Sequence, residues 1–223
     1  MNKTQLILMS AIVAGAQTAN ADEPGWYGSL NLGLAIPEGS LIYGGDDPGR
    51  GPDYDLENGG VAGLGGGYGF GNGLRLEGEL RYRAFDAGGI SHAGFGAPSS
   101  ADGSVTSTTF MANLVYDFIL ESTKLRPYLK GGIGAAWNEA DVDELGMGPS
   151  AGWGVYSSAT DTEFAWSLGA GLAYPIDERL SLTAEYQYVD LGSAETGGDI
   201  NGQSMRFDDL GSHEMTLGLR YTF

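Results

Sequence analysis

The chain contains no cysteine. It therefore has no disulfide to hold it together and no thiolate to serve as nucleophile or metal ligand. Histidine is almost absent as well: His92 and His213 are the only two, which leaves little for imidazole catalysis or zinc binding. Cations are scarce. Eleven Lys and Arg stand against 29 Asp and Glu, for a formal net charge of −18. That balance excludes nucleic acid as a partner, because binding to a phosphate backbone is driven by Lys and Arg. Long apolar runs are missing too: no stretch reaches the ~18 residues that a membrane helix requires. A chain of this kind crosses a bilayer only as a closed sheet, since hydrocarbon offers no partner to an unpaired amide.

What is present begins with an export signal. Lys3 gives a positive start, Leu6-Ile7-Leu8-Met9 to Ile12-Val13-Ala14 a short apolar stretch, and Ala19-Asn20-Ala21 a small-x-small cleavage site. The stretch is too short for a membrane anchor. Residues 1–21 are thus expected to be removed, leaving one domain over 22–223. Glycine is abundant, at 39 residues, without the triplet repeat of collagen.

The last segment sets the pattern. Back from Phe223, every second residue is apolar (Tyr221, Leu219, Leu217, Met215), and Thr222, Arg220, Gly218, Thr216 and Glu214 fall between. A period of two is a strand with one oily and one polar face. Eight such strands are expected, about ten residues each, as a tilted membrane-crossing strand requires. They are Trp26–Ile36, Gly60–Phe70, Leu74–Phe85, Ser107–Phe118, Leu125–Trp137, Glu163–Ile176, Arg179–Leu191 and His213–Phe223. The connections alternate long and short, the layout of an outer-membrane barrel with periplasmic turns and external loops. A soluble barrel with the apolar set inside is the alternative. Aromatics speak against it. Trp26, Tyr68, Phe70, Tyr116 and Phe118 cluster at one set of strand ends, and Tyr82, Phe110, Trp137, Phe164 and Trp166 at the other. Two such belts are what two lipid–water interfaces select.

The fold class expected is therefore all-β: an eight-stranded antiparallel up-and-down transmembrane barrel. Its third strand alternates Arg75, Glu77, Glu79, Arg81 and Arg83 on the inward face. An ion pathway and a charge-paired plug are both possible readings. A barrel of eight strands is only wide enough for its own side chains, which favours the plug. The expected interior network is Arg75, Glu77, Glu79, Arg81, Lys130, Glu185, Glu214 and Arg220. Gly63, Gly65, Gly67 and Gly69, with Gly169 and Gly171, read as room for opposing long side chains rather than a phosphate loop, since no complete G-x-G-x-x-G is present.

The loops are acidic, with Glu38, Asp46, Asp47, Asp53, Glu139, Asp141, Asp161, Asp190 and Asp199 among their residues. Their spacing matches no calcium loop, so no metal and no cofactor is assigned. Ser212-His213-Glu214 holds the residue types of a catalytic triad. On a strand, however, Ser212 and Glu214 face away from His213, so no catalytic residue and no enzyme activity is expected.

Three segments carry a family resemblance: Leu125-Arg126-Pro127-Tyr128 followed by Gly131-Gly132-Ile133-Gly134; Ala184-Glu185-Tyr186-Gln187-Tyr188-Val189-Asp190-Leu191-Gly192; and Ser212-His213-Glu214 through Leu217-Gly218-Leu219-Arg220-Tyr221-Thr222-Phe223. Together they resemble the opacity-like surface antigens of Gram-negative bacteria, small outer-membrane barrels that include the Omp25-type proteins. The resemblance implies an outer-membrane location and a structural or surface-interaction role as antigen, adhesin or envelope stabiliser. A small-solute channel and a lipid-A-modifying enzyme remain as alternatives. The terminal strand is similar to the signal read by the barrel-insertion machinery, which here means Tyr221 and Phe223. The expected partners are outer-membrane lipid and lipopolysaccharide, that machinery, and an external partner met by the acidic loops.

Overall fold

The structure, a computed structural model, describes residues 24–38, 40–42, 54–90, 101–120, 123–145, 159–195, 206–207 and 210–223. The export segment, His92, and the loop acids Asp46, Asp47, Asp53 and Asp199 lie outside the described residues. The strands are β1 (Gly25–Glu38), β2 (Ser40–Ile42), β3 (Tyr54–Leu56), β4 (Gly59–Gly69), β5 (Leu74–Ile90), β6 (Ala101–Asp117), β7 (Arg126–Leu145), β8 (Ala159–Pro175), β9 (Leu180–Asp190), β10 (Ala194–Glu195), β11 (Arg206–Phe207) and β12 (Gly211–Thr222). Eight of them close a cylinder in the order β1-β4-β5-β6-β7-β8-β9-β12, every pairing antiparallel. The seam is the β1–β12 ladder, which runs from Tyr27↔Thr222 to Glu38↔Gly211. Closure leaves the cylinder no edge strand, the one way a sheet satisfies all its amides in lipid.

Side-chain parity decides the two faces. Leu217, Leu168 and Leu114 are 65%, 63% and 55% exposed, whereas Glu79 and Arg81 are 2% and 1% exposed. Apolar residues thus line the outer wall and charged ones fill the lumen, the reverse of a soluble carrier. The aromatics at the short-turn end pack edge to face: Trp26 with Tyr68 at 5.2 Å, Tyr116 with Phe118 at 5.2 Å, and Tyr221 with Phe223 at 5.4 Å between centroids.

Short turns carry the chain between strands at that end. Between β4 and β5, Gly71 and Gly73 take φ of 76° and 85°, and Phe70 N donates to Leu74 O at 2.9 Å. A side chain at Gly73 would also meet Asp117 O at 2.6 Å, so this turn demands glycine. Between β8 and β9, Asp177 Oδ1 accepts the backbone N–H groups of Arg179 (2.8 Å) and Leu180 (2.7 Å). These two bonds hold the Asp177 carboxyl below its ordinary range.

The strands differ in length from the sequence expectation at the opposite end. β5, β6 and β8 have 17 residues and β7 has 20, whereas β1, β4, β9 and β12 have 11 to 14. The segments expected to start at Ser107 and end at Trp137 instead begin at Ala101 and run to Leu145. About ten residues suffice to cross a bilayer, so β5–β8 rise as a wall beyond it. Outside lipid a strand needs no apolar face, so the extensions lack the alternation that marks the rest. The short strands β2, β3, β10 and β11 form a ribbon on the same side and join β5 through Tyr54↔Ile90.

Candidate functional site

Three features could carry function: the lumen, the inward-folded connection at its external mouth, and a polar cluster on the outer wall. The lumen is built from inward parity positions on every wall strand. At its centre Arg81 donates to three carboxylates. Nε reaches Glu79 Oε1 at 2.7 Å, Nη1 reaches Glu214 Oε2 at 2.7 Å, and Nη2 reaches Glu185 Oε1 at 2.5 Å. Lys130 Nζ lies 2.8 Å from Glu79 Oε2 and 3.3 Å from both Glu185 Oε1 and Glu77 Oε1. Arg83 pairs through Nε with Glu214 Oε1 and gives Nη1 to Thr109 Oγ1 at 2.9 Å. Toward the short turns, Arg75 grips Asp117 with two bonds of 2.6 and 3.0 Å, and Arg220 Nη1 lies 3.8 Å from the same carboxylate. The Tyr27 hydroxyl donates to Glu77 Oε2 at 3.0 Å and accepts from Arg75 Nη1 at 3.0 Å, and Tyr128 donates to Glu185 Oε2 at 3.0 Å.

All eight residues named from the sequence occupy the lumen. Arg83 and Asp117 belong there too and were absent from that set. Parity had already placed Arg83 on the inward face of its strand, and Asp117 was available in the same way, since it shares the face of Asn113 and Val115. With them the balance is even: Arg75, Arg81, Arg83, Lys130 and Arg220 against Glu77, Glu79, Asp117, Glu185 and Glu214. These ten groups therefore contribute nothing to the net charge of −18. Buried charges persist only when paired, and a neutral set meets that condition.

Glycine makes the filling possible. An added Cβ at Gly63 would lie 2.8 Å from Arg81 Cγ, one at Gly65 2.6 Å from Ser29 Oγ, and one at Gly67 2.6 Å from the Tyr27 hydroxyl. At Gly171 it would strike the Tyr128 ring. A cavity among Ser29, Asn31, Arg75 and Arg220 is about 20 Å³, room for about one water.

Above the charges the lumen turns apolar, which the sequence reading did not foresee. Val61, Phe85, Val105 and Met111 point inward there and meet Leu191 and Leu210 from the β9–β12 connection. The described ends of that connection, residues 191–194 and Leu210, pack into the mouth. Leu191 N donates to Leu210 O at 2.9 Å, and Leu210 N to Gly192 O at 2.7 Å. Asn138 Nδ2 donates to Leu191 O at 2.8 Å and to Ser193 O at 3.0 Å. Gly192 has φ of 77°, and a Cβ there would sit 2.7 Å from that of Glu163.

On the outer wall, His213 lies 2.7 Å through Nε2 from Glu38 Oε1 and 2.7 Å through Nδ1 from the Tyr186 hydroxyl. Ser212 and Glu214 are fully buried on the opposite face. An acid and an imidazole are thus aligned, but their third member is a phenol rather than a serine. Among the described residues no three His, Asp or Glu converge to hold a metal, and no helix is long and apolar enough to cross a membrane.

Comparison with known proteins agrees with this architecture. The chain matches the family of the outer membrane protein beta-barrel domain over residues 6–223. It is 30% identical over 159 residues to the outer membrane protein PagN of Salmonella typhimurium, covering 67% of this chain and 65% of that one. It is 29% identical over 250 residues to an outer membrane protein of Gluconacetobacter diazotrophicus, covering 99% and 64%. The chain thus spans just under two-thirds of the length of these relatives. Among solved structures, OprG of Pseudomonas aeruginosa superposes with a TM-score of 0.60 at 15% identity, covering 92% of this chain and 99% of that one. The closed charge-filled cylinder, its lipid-facing wall and the match over residues 6–223 have one meaning: this protein belongs to the outer-membrane β-barrel family and resides in the outer membrane of a Gram-negative bacterium.

Proposed function

We propose that the protein is a sealed, non-catalytic barrel that works through the surface it holds outside the cell, in the manner of the opacity-like surface antigens. The observation that carries this reading is the doubly blocked lumen. A charge-balanced network crosses the middle, and the apolar cluster of Phe85, Val105, Leu191 and Leu210 closes the outer mouth. Solute has no path, so the product of folding is the outer face itself. The raised wall β5–β8 supports that assignment, since strands longer than the bilayer requires serve only what lies beyond it. Glu139 on β7 and Asp86 on β5 are exposed there, and their charge favours a partner with a cationic surface.

Two experiments test the reading. The refolded protein in planar bilayers gives no steady conductance; a discrete conducting state would restore the channel alternative. Cells that display the protein bind a cation-rich surface, and replacing Asp86 with Asn and Glu139 with Gln weakens the binding while the barrel stays heat-modifiable. Binding unchanged by both substitutions refutes this reading.

The terminal strand has a separate role in biogenesis. Phe223 N donates to Trp26 O at 2.9 Å, and the Phe223 ring packs on Tyr221 at the seam. We assign Tyr221 and Phe223 to recognition by the insertion machinery. Removal of Phe223 lowers outer-membrane yield in cells while leaving refolding into liposomes intact; equal loss in both would make its role purely structural.

A further inference from the structure

We infer that a single water molecule, buried where the charged lumen gives way to the apolar mouth, fastens the closure of that mouth to the charge network. Three side chains mark the place: Arg83 on β5, Ser107 on β6 and Asn138 on β7. They are register partners on successive strands, Arg83 with Ser107 and Ser107 with Asn138. All three are fully buried inside the cylinder. Cross-strand neighbours on one face stand about 5 Å apart at Cβ. Phe85 and Val105 begin the apolar layer directly above this row, and Thr109 lies below it.

Each of the three carries a buried polar atom with no hydrogen-bond partner among the described residues: Arg83 Nη2, Ser107 Oγ and Asn138 Oδ1. Their neighbours fix which way these atoms face. Asn138 Nδ2 donates to Leu191 O and Ser193 O at 2.8 and 3.0 Å. Turning the amide over would set its oxygen against two carbonyl oxygens, so Oδ1 looks away from the connection. Arg83 commits Nε to Glu214 Oε1 and Nη1 to Thr109 Oγ1, which leaves Nη2 without an acceptor.

One cationic donor, one hydroxyl and one acceptor suit a water. It accepts from Arg83 Nη2, donates to Asn138 Oδ1 and bonds Ser107 Oγ in either sense. About three bonds are the usual complement of a buried water. A halide would take the guanidinium and the hydroxyl but press against the amide oxygen, and it would unbalance a lumen whose charges are already even. A metal cation would face Arg83. Through the water a continuous path runs from Leu191 and Ser193 by way of Asn138, Arg83 and Glu214 to Arg81. The mouth is thereby tied to the plug beneath it, with Asn138 as the latch. This inference rests on the sealed-barrel reading only for the mouth being closed, and conductance does not enter its test.

The test follows the backbone amides of Leu191 and Leu210, which bond to Leu210 O and Gly192 O, by hydrogen exchange in the whole mature protein refolded into micelles. Long-lived internal waters are counted on the same samples by magnetic relaxation dispersion of the solvent. The small cavity near Arg220 lies toward the other end of the lumen and is common to every sample. Ser107→Val fills the water's place and leaves Asn138, Arg83 and the connection as they are. It is expected to remove one long-lived water and to speed exchange at both amides roughly tenfold, the order that one lost buried hydrogen bond produces. Ser107→Ala adds no bulk and is expected to keep both the water and the slow exchange. Loss of the water with exchange unchanged, or an unchanged water count in Ser107→Val, overturns the inference. Exchange that responds to chloride at constant ionic strength also overturns it, since that is the mark of a halide in the site. Should Ser107→Val not fold, crystals of the parent protein decide. A density peak within about 3.2 Å of Arg83 Nη2, Ser107 Oγ and Asn138 Oδ1 supports the water; direct contact among the three atoms, with no peak between them, refutes it.

Discussion

Arg81 on β5 and Glu214 on β12 meet across the lumen, Nη1 to Oε2 at 2.7 Å, although 133 positions of sequence separate them. Neither strand neighbours the other in the wall, since β4 and β1 stand between them. The bond is therefore a strut across the cylinder rather than a rung of its ladder. Arg83 shares the same carboxylate, so Glu214 pairs with two guanidinium groups at once.

Glu214→Ala is expected to leave both cations buried and undercompensated. Breaking one side of a buried pair costs about 3–5 kcal/mol. The midpoint of urea unfolding in lipid vesicles measures the loss, and a shift no larger than that of a surface substitution would show that the strut contributes nothing.

Glycine at the inward positions is a packing requirement. Gly171→Val drives a side chain into the Tyr128 ring and within 2.7 Å of Ala184 O, an overpacking expected to cost at least about 1–3 kcal/mol. Gly60 is the control, because a Cβ there meets nothing within 4 Å. Gly60→Ala should stay within about 0.5 kcal/mol of the parent. Thermal shifts of the two variants decide the matter.

The lipid face should reject charge. Leu168 is 63% exposed on the outer wall, and Leu168→Arg is expected to destabilise the inserted barrel by about 2–4 kcal/mol if it lies near the bilayer midplane. Reversible folding into vesicles gives the number. A neutral result would contradict the assignment of this wall to hydrocarbon.

The β8–β9 turn has its own acid sensitivity. Asp177 titrates below the ordinary carboxylate value because its oxygen accepts the N–H groups of Arg179 and Leu180. A carboxyl with a depressed folded pKa stabilises the fold above the unfolded value, about 3.9. It loses that contribution as pH falls through the folded value. Amide exchange at Leu180 should accelerate over that acidic window, and Asp177→Ala should show the faster exchange already at neutral pH.

Much of this architecture is written in the chain, and the exceptions have physical causes. Strand parity is legible wherever one face meets lipid, because hydrocarbon tolerates no substitute: Leu76, Leu80 and Leu114 declare their side without help. Parity also places Arg75, Glu77, Glu79 and Arg81 on one inward face. The contacts that Arg81 makes with Glu185 and Glu214 depend on tilt and register, which a sequence does not print. The wall segments beyond the bilayer were missed because Ser104, Thr106 and Glu139 answer to water on their outer side and carry no lipid signature. The apolar mouth was missed for another reason. Leu191 continues the inward parity of Gln187 and Val189, but Leu210 lies outside the regular strands, and the turn at Gly192 is what brings the two together.

Glu214 also gives the closing seam an electrostatic role. It stands on the last strand, so it reaches Arg81 and Arg83 only when β12 zips onto β1. Until that moment Arg81 and Arg83 lack this carboxylate, although the net charge of the interior does not change, because β12 brings Arg220 as well. Completion of the hydrogen-bonded ring and the pairing of these two guanidinium groups with Glu214 are thus a single event.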